Sequence, residues 1–195
     1  MLKFGKKVNY RPLGLSLLTG LTVGLLFGSN ISLTLGVEVG IIMFSVMFLG
    51  HYLLFLPTIF NYWESSPEFI RYSDIGKTTN RVIAMISPAK LPMKVIDKTK
   101  IKEITITGLP PTYTDLTAQF IAAEEGSLMY GLFLMINSPV KIQIILDDKT
   151  KINLDISKDY FTHPQTTIAK LRLFLNEFKA SKINLSEENL KFIND

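Results

Sequence analysis

Charge is missing from two long stretches of this 195-residue chain. No Asp, Glu, Lys or Arg occurs from Pro12 to Val37, and after Glu38 none occurs until Glu64. About 20 apolar residues in a helix, rising about 1.5 Å each, cross the roughly 30 Å hydrocarbon core of a bilayer. These stretches restrict the fold more than any motif does. Each is predicted to be a membrane-spanning helix, one at about 12–31 and one at about 38–60, joined by a short turn near "GSNISLTLG".

The first stretch has a rival reading. "KKVNYRPLGLSLLTGLTVGLLFGSN" starts basic and turns apolar, as a secretory signal does. A signal also needs small residues before the cut. Cleavage after Ser29 puts Phe27 where a small residue belongs, and cleavage after Gly28 puts Leu26 there. A second apolar stretch, Val39 to Phe60, follows at once. The sequence therefore predicts a retained hairpin anchor over residues 1–63. Lys3, Lys6, Lys7 and Arg11 precede it, and Arg71, Lys77 and Arg81 follow it, while Gly28 to Gly36 contains no Lys or Arg. Basic flanks stay in the cytoplasm. Both termini are expected there, in a multi-pass protein of the cell membrane.

The predicted helices carry two further patterns. Ser16, Gly20, Gly24 and Gly28 recur every four residues and form a small face that lets another backbone approach closely. That face suits packing inside the hairpin, where the second helix begins with Gly36 and Gly40, or self-association of several copies. His51 lies nine residues before Phe60. An ionisable residue at that depth is a functional candidate. A neutral ring bonded to Thr19, Thr22 or a backbone carbonyl is the structural alternative. Trp63 and Tyr62 suit an interfacial belt at the helix exit, with Tyr52 deeper. Pro57 predicts a kink in the last turn or two.

Residues 64–195 read as a separate α+β domain. "FIRYSDI" and "RVIAMIS" look like short strands, and "KIKEITITG" alternates, with Ile101, Glu103 and Thr105 on one side and Lys102, Ile104 and Ile106 on the other. "SLMYGLFLMI" is predicted to be a buried strand, too short for a third span. "VKIQIILDDKTKINLDIS" reads as a hairpin turning at Asp147–Lys149. "HPQTTIAKLRLFLNEFKAS" then places Ile168, Leu171, Leu175 and Phe178 on one helical face. A last helix starts near Ser186, with Glu187 and Glu188 at its positive end.

About seven strands followed by an amphipathic helix imply a bent, mostly antiparallel sheet plugged by that helix. This order, behind an N-terminal hairpin, resembles the pleckstrin-homology-like (PH-like) domains of small bacterial membrane proteins. The opening "LKFGKKVNYRP", with its early lysines and the apolar stretch after it, is similar to the start of EbsA-like proteins of Gram-positive cocci. That resemblance implies an envelope-associated membrane protein, in some members described as pore-forming, with no established catalytic site.

Motifs for chemistry are sparse. "DIGKTTN" ends like a phosphate-binding loop, but the full motif needs a glycine five residues before Gly76, where Arg71 stands, and a helix afterwards, where a strand is expected. Asp147–Asp148, Glu124–Glu125 and Glu187–Glu188 read as turn, loop and helix-start residues, and no calcium-loop spacing is present. His163 reads as a helix-flanking residue, with no nucleophile-elbow pattern to serve it. The chain has no cysteine, which removes disulfides and thiolate chemistry. No catalytic residue, cofactor or metal is expected.

The net charge of +4 belongs to the N-terminal flank. Residues 61–195 hold 17 basic and 16 acidic residues, so nucleic acid is not an expected partner. Lys90, Lys94, Lys98, Lys100 and Lys102 are crowded together in sequence and suit contact with anionic lipid, or a solvated strand edge. The expected function is a non-catalytic, membrane-anchored interaction or scaffold protein that holds a protein partner at the inner face of a bacterial membrane. The alternatives are a pore or transport subunit built from a homo-oligomer of hairpins, and a membrane-bound enzyme with dispersed residues.

Overall fold

The computed structural model describes residues 1–109, Met135 and residues 139–194. The strand expected at 127–136 falls almost wholly outside them. The fold is mixed helix and antiparallel sheet, with two apolar helices near the N-terminus. The chain forms two compact units: Lys6–Phe60 with Ser73–Met93, and Met1–Gly5 with Asn61–Tyr72 and Lys94–Asp195. This division departs from the expected one at residues 63/64, because each unit takes a segment from the other side of that boundary.

The first unit is built on a helical hairpin. Helix α1 runs Arg11–Asn30, with Pro12 in its first turn, where its missing N–H costs nothing. Ser32 caps helix α2 (Leu33–Ile59) by accepting from the Leu35 amide at 3.3 Å. Both helices are long and apolar enough to cross a membrane, and only 17% of each apolar window is buried. A core helix of a soluble domain would bury far more. Residues Val46–Leu53 of α2 adopt the wider π-helical turn, and a short α-helical end, Leu54–Ile59, contains Pro57. Thr78–Ile86 forms helix α3, not the expected strand. Its β-branched residues favour a strand locally, yet Ala84 and Met85 are buried with Tyr52, Leu56 and Phe60, and this packing overrides the preference.

The second unit holds seven strands among the described residues. Strands β1 (Leu2–Gly5), β2 (Tyr62–Ser65), β3 (Phe69–Ser73) and β4 (Met93–Asp97) form one sheet in that order. Strand β1 was not expected from the sequence. It pairs antiparallel with β2, placing Phe4 beside Trp63, and their rings stack with centroids 4.1 Å apart. Gly5 ends β1 with φ +70°, and a Cβ there would fall 1.4 Å from the Asn61 carbonyl oxygen, so only glycine fits. Strands β5 (Ile101–Thr107), β6 (Lys141–Leu146) and β7 (Lys151–Asp155) make the second sheet. A bulge between Ile101 and Glu103 resets the alternation of β5, so Ile101, Ile104 and Ile106 are all buried. Simple alternation had put Ile101 opposite the other two.

Helices α4 (Ser157–Thr162), α5 (Pro164–Leu175) and α6 (Glu187–Asn194) follow β7. Leu171 and Phe174 of α5 enter one core with Trp63 and Ile70 from the first sheet and Ile104, Ile142 and Leu154 from the second. Trp63 is fully buried there and meets Phe174 edge-on at 5.4 Å. It is therefore no member of an interfacial belt. Tyr62 is also buried, and its hydroxyl donates to Glu64 at 2.5 Å.

Candidate functional site

The residues singled out in sequence fall into three groups. The first is the small face of α1. Gly20, Gly24 and Gly28 meet Gly36 and Gly40 of α2. A Cβ added at Gly36 would lie 2.5 Å from the Gly24 carbonyl oxygen, and one at Gly24 would lie 2.9 Å from the Gly36 carbonyl oxygen. At Gly20 it would lie 2.8 Å from the Gly40 carbonyl oxygen. Ser16 continues the face, fully buried, its hydroxyl donating to the Pro12 carbonyl at 2.7 Å. The four-residue spacing brings these positions onto one line, and hydrogen-only side chains let the two backbones touch. Beside this seam runs an apolar groove of about 630 Å³, flanked by Leu17, Leu21, Leu25, Val37 and Ile41.

The second group is His51 with Thr19 and Thr22. His51 sits in the π-helical stretch of α2. Its ring lies edge-on to Tyr52 at 5.0 Å and tilted against Phe55 at 5.4 Å. Neither threonine is its hydrogen-bond partner in this structure. The Thr19 hydroxyl donates to the Leu15 carbonyl at 2.9 Å, and Thr22 is exposed on the hairpin surface. The expectation that one of them pins the imidazole is not met, because α1 turns Thr22 outward and offers Thr19 an acceptor one turn back.

The third group is the lysines. Lys98 is 7% exposed and paired with Glu177, whose Oε2 also accepts from the Ser65 hydroxyl at 2.8 Å. Its ammonium stands 5.1 Å from the Phe178 ring centre. Lys98 is a buried cross-link and is withdrawn as a lipid contact. Lys90, Lys94, Lys100 and Lys102 are exposed.

Sequence reasoning missed Arg81 as a structural residue. Pro57 has no N–H, so the Leu53 carbonyl loses the donor that an α-helix would supply. Arg81 fills that place, with Nη1 donating to the Leu53 carbonyl at 3.3 Å. Its Nε and Nη2 donate to the carbonyls of Ile75 at 2.9 Å and Gly76 at 3.2 Å. The signal was present: an orphaned carbonyl in an apolar helix demands a donor from elsewhere.

These bonds also decide against phosphate binding at Gly76-Lys77-Thr78. A helix does follow, contrary to the expected strand. The loop, however, runs only from the end of β3 at Ser73 to Thr78, and its Asp74, Ile75 and Gly76 carbonyls converge on Asn80 and Arg81. A phosphate cradle gathers backbone N–H groups instead. Burial pushes the Tyr62 phenol up to about 12, aided by the Glu64 carboxylate it bonds. Burial also raises Asp155, opposed by bonds from Ser157. No group of three or more His, Cys, Asp or Glu side chains that could hold a metal occurs among the described residues. No family model, curated protein or solved structure matches the chain.

Proposed function

We propose that the chain is a membrane-anchored, non-catalytic interaction protein, with a PH-like second unit on the cytoplasmic side and a hairpin inserted between its first two strands. The observation that carries this reading is the pairing of β1 with β2. Residues 2–5 and 62–65 are neighbours in one sheet, so the chain between them leaves and returns on the same side. Two crossings, by α1 and α2, satisfy that condition and one does not. The basic flanks make that side cytoplasmic. Seven strands followed by a helix that packs into their core support the PH-like assignment. The hairpin's outward leucines and isoleucines, Leu21, Leu25, Ile41 and Leu49 among them, suit lipid as solvent.

Reporter fusions test the topology. Fusions at residue 195 should behave as cytosolic and one near Ile31 as external. Copurification in mild detergent tests the role. A distinct protein retained at fixed stoichiometry supports recruitment. A large homo-oligomer that conducts ions in liposomes replaces it with the pore reading, for which the π-helical stretch around His51 is the favouring observation, since such stretches often mark functional sites.

A further inference from the structure

Helix α3 is apolar on two opposite sides. Ala84 and Met85 are buried with Tyr52, Leu56 and Phe60. Its longer polar side chains are turned onto nearby carbonyls: Asn80 donates to Asp74, and Arg81 to Leu53, Ile75 and Gly76. The remaining face holds Thr79, Ile83 and Ile86, which at about 100° per residue share a narrow arc. Ile83 is 40% and Ile86 is 53% exposed. No charge lies on that arc. Exposed Lys77 and Lys90 stand just before and just after the helix.

The level of the helix follows from what it packs on. Tyr52 and Leu56 lie in the last turns of α2 and Phe60 directly follows its end, and eight residues span about 12 Å. On the membrane-anchor reading, the end of α2 occupies the depth range of the headgroups and the upper acyl chains. Interfacial helices set their apolar face about 5–10 Å into that boundary and hold basic residues at the headgroups. The exposed face also belongs to the same compact unit as the apolar hairpin surface, including exposed Leu49 and Leu54.

We propose that α3 is a third membrane contact, a helix lying in the inner-leaflet interface. Ile83 and Ile86 reach the acyl boundary, and Lys77 and Lys90 meet phospholipid phosphates. The inference rests on the membrane-anchor reading and extends it from two crossings to an interfacial seat.

The natural chain has no cysteine, so single Ile83→Cys and Ile86→Cys variants of the full chain take one nitroxide label each. The chains are placed in nanodiscs of phosphatidylglycerol and phosphatidylethanolamine. Collision of each label with oxygen and with a water-soluble nickel chelate then reads depth. Leu21→Cys serves as the hairpin reference and Asp148→Cys as the water reference. Labels at 83 and 86 should favour oxygen, at a shallower depth than the label at 21. Labels at both positions that favour nickel like the one at 148, while 21 favours oxygen, overturn the interfacial seat and leave the anchor standing. Labels at 83 and 86 shielded from both reagents overturn it in favour of a protein partner. A nickel-accessible label at 21 removes the anchor reading itself.

Discussion

The hairpin and the sheet unit are held together by opposite means. In the hairpin, Gly20, Gly24, Gly36 and Gly40 bring backbone against backbone, and Leu21, Leu25 and Ile41 beside that seam point outward. In the sheet unit, Trp63, Phe4, Phe174 and the isoleucines of β5 and β6 point inward. Water drives the second arrangement, because burying apolar area is favourable there at about 25 cal/mol per Å². On the membrane-anchor reading proposed above, the hairpin has lipid as its solvent, where that gain vanishes and close packing takes its place. Each region should therefore fail under the substitution that the other tolerates.

The largest effect is expected in the sheet unit. Trp63→Ala removes a fully buried ring stacked on Phe4 and touching Phe174. A loss of about 3–5 kcal/mol is expected, read by chemical denaturation in detergent. A loss under about 1 kcal/mol would mean that the core collapses around the hole and that packing matters less than the contrast requires.

The hairpin should show the reverse. Gly24→Leu forces a side chain against the Gly36 carbonyl and should cost about 3 kcal/mol, the upper part of the usual overpacking range. Leu21→Ala and Leu25→Ala, at 63% and 72% exposed, should stay within about 0.5 kcal/mol. Helix separation on heating, followed by energy transfer between labels on α1 and α2, measures both. Equal tolerance at the two sets would break the comparison.

A double substitution sharpens it at the end of α2. Arg81→Met leaves the Leu53 carbonyl without its donor and should cost about 2 kcal/mol, as expected for a hydrogen bond from a charged group. Pro57→Ala restores a backbone N–H one turn on, so it should recover part of that loss in the Arg81→Met chain. It should recover only part, because the bonds to Ile75 and Gly76 remain broken. Strict additivity of the two changes would show that Pro57 and Arg81 are not coupled.

What the sequence disclosed follows the same divide. Local periodicity was legible: the four-residue glycine spacing, the alternation of Ile152 and Leu154 in β7, and the helical face of Ile168, Leu171 and Leu175 all occupy their expected positions. Features that depend on distant partners were not. Strand β1 is four residues beside a basic flank, and the residues that give Phe4 a place, Trp63 and Lys170 among them, lie far along the chain. Lys98 looked like a surface lysine because Glu177 is far from it in sequence. Val82 and Ile83 read as strand until the burial of Ala84 and Met85 made them helix. At the candidate site, the threonines level with His51 could be named, but not the rotation of α1 that turns Thr22 away from it.

The smallest expected effect tests charge burial in the sheet unit. Asp155 ends β7, and its Oδ1 accepts from the Ser157 amide at 2.8 Å. Burial raises its pKa despite that bond and the nearby Lys141. A carboxyl raised in the folded state keeps its proton after the unfolded chain has lost it. The unfolded state then binds fewer protons, so stability falls as pH rises through the carboxylate range and stays lower at neutral pH. Asp155→Asn retains an oxygen acceptor for Ser157 and cannot ionise. The variant should therefore melt slightly higher than the natural chain at pH 7, and the gap should close as pH falls below the unfolded carboxyl value near 3.8. Melting temperatures of both chains at a series of pH values measure this. A gap that widens toward acid would mean that the ionised Asp155 stabilises the fold, and that the sheet unit tolerates a buried charge better than its core implies.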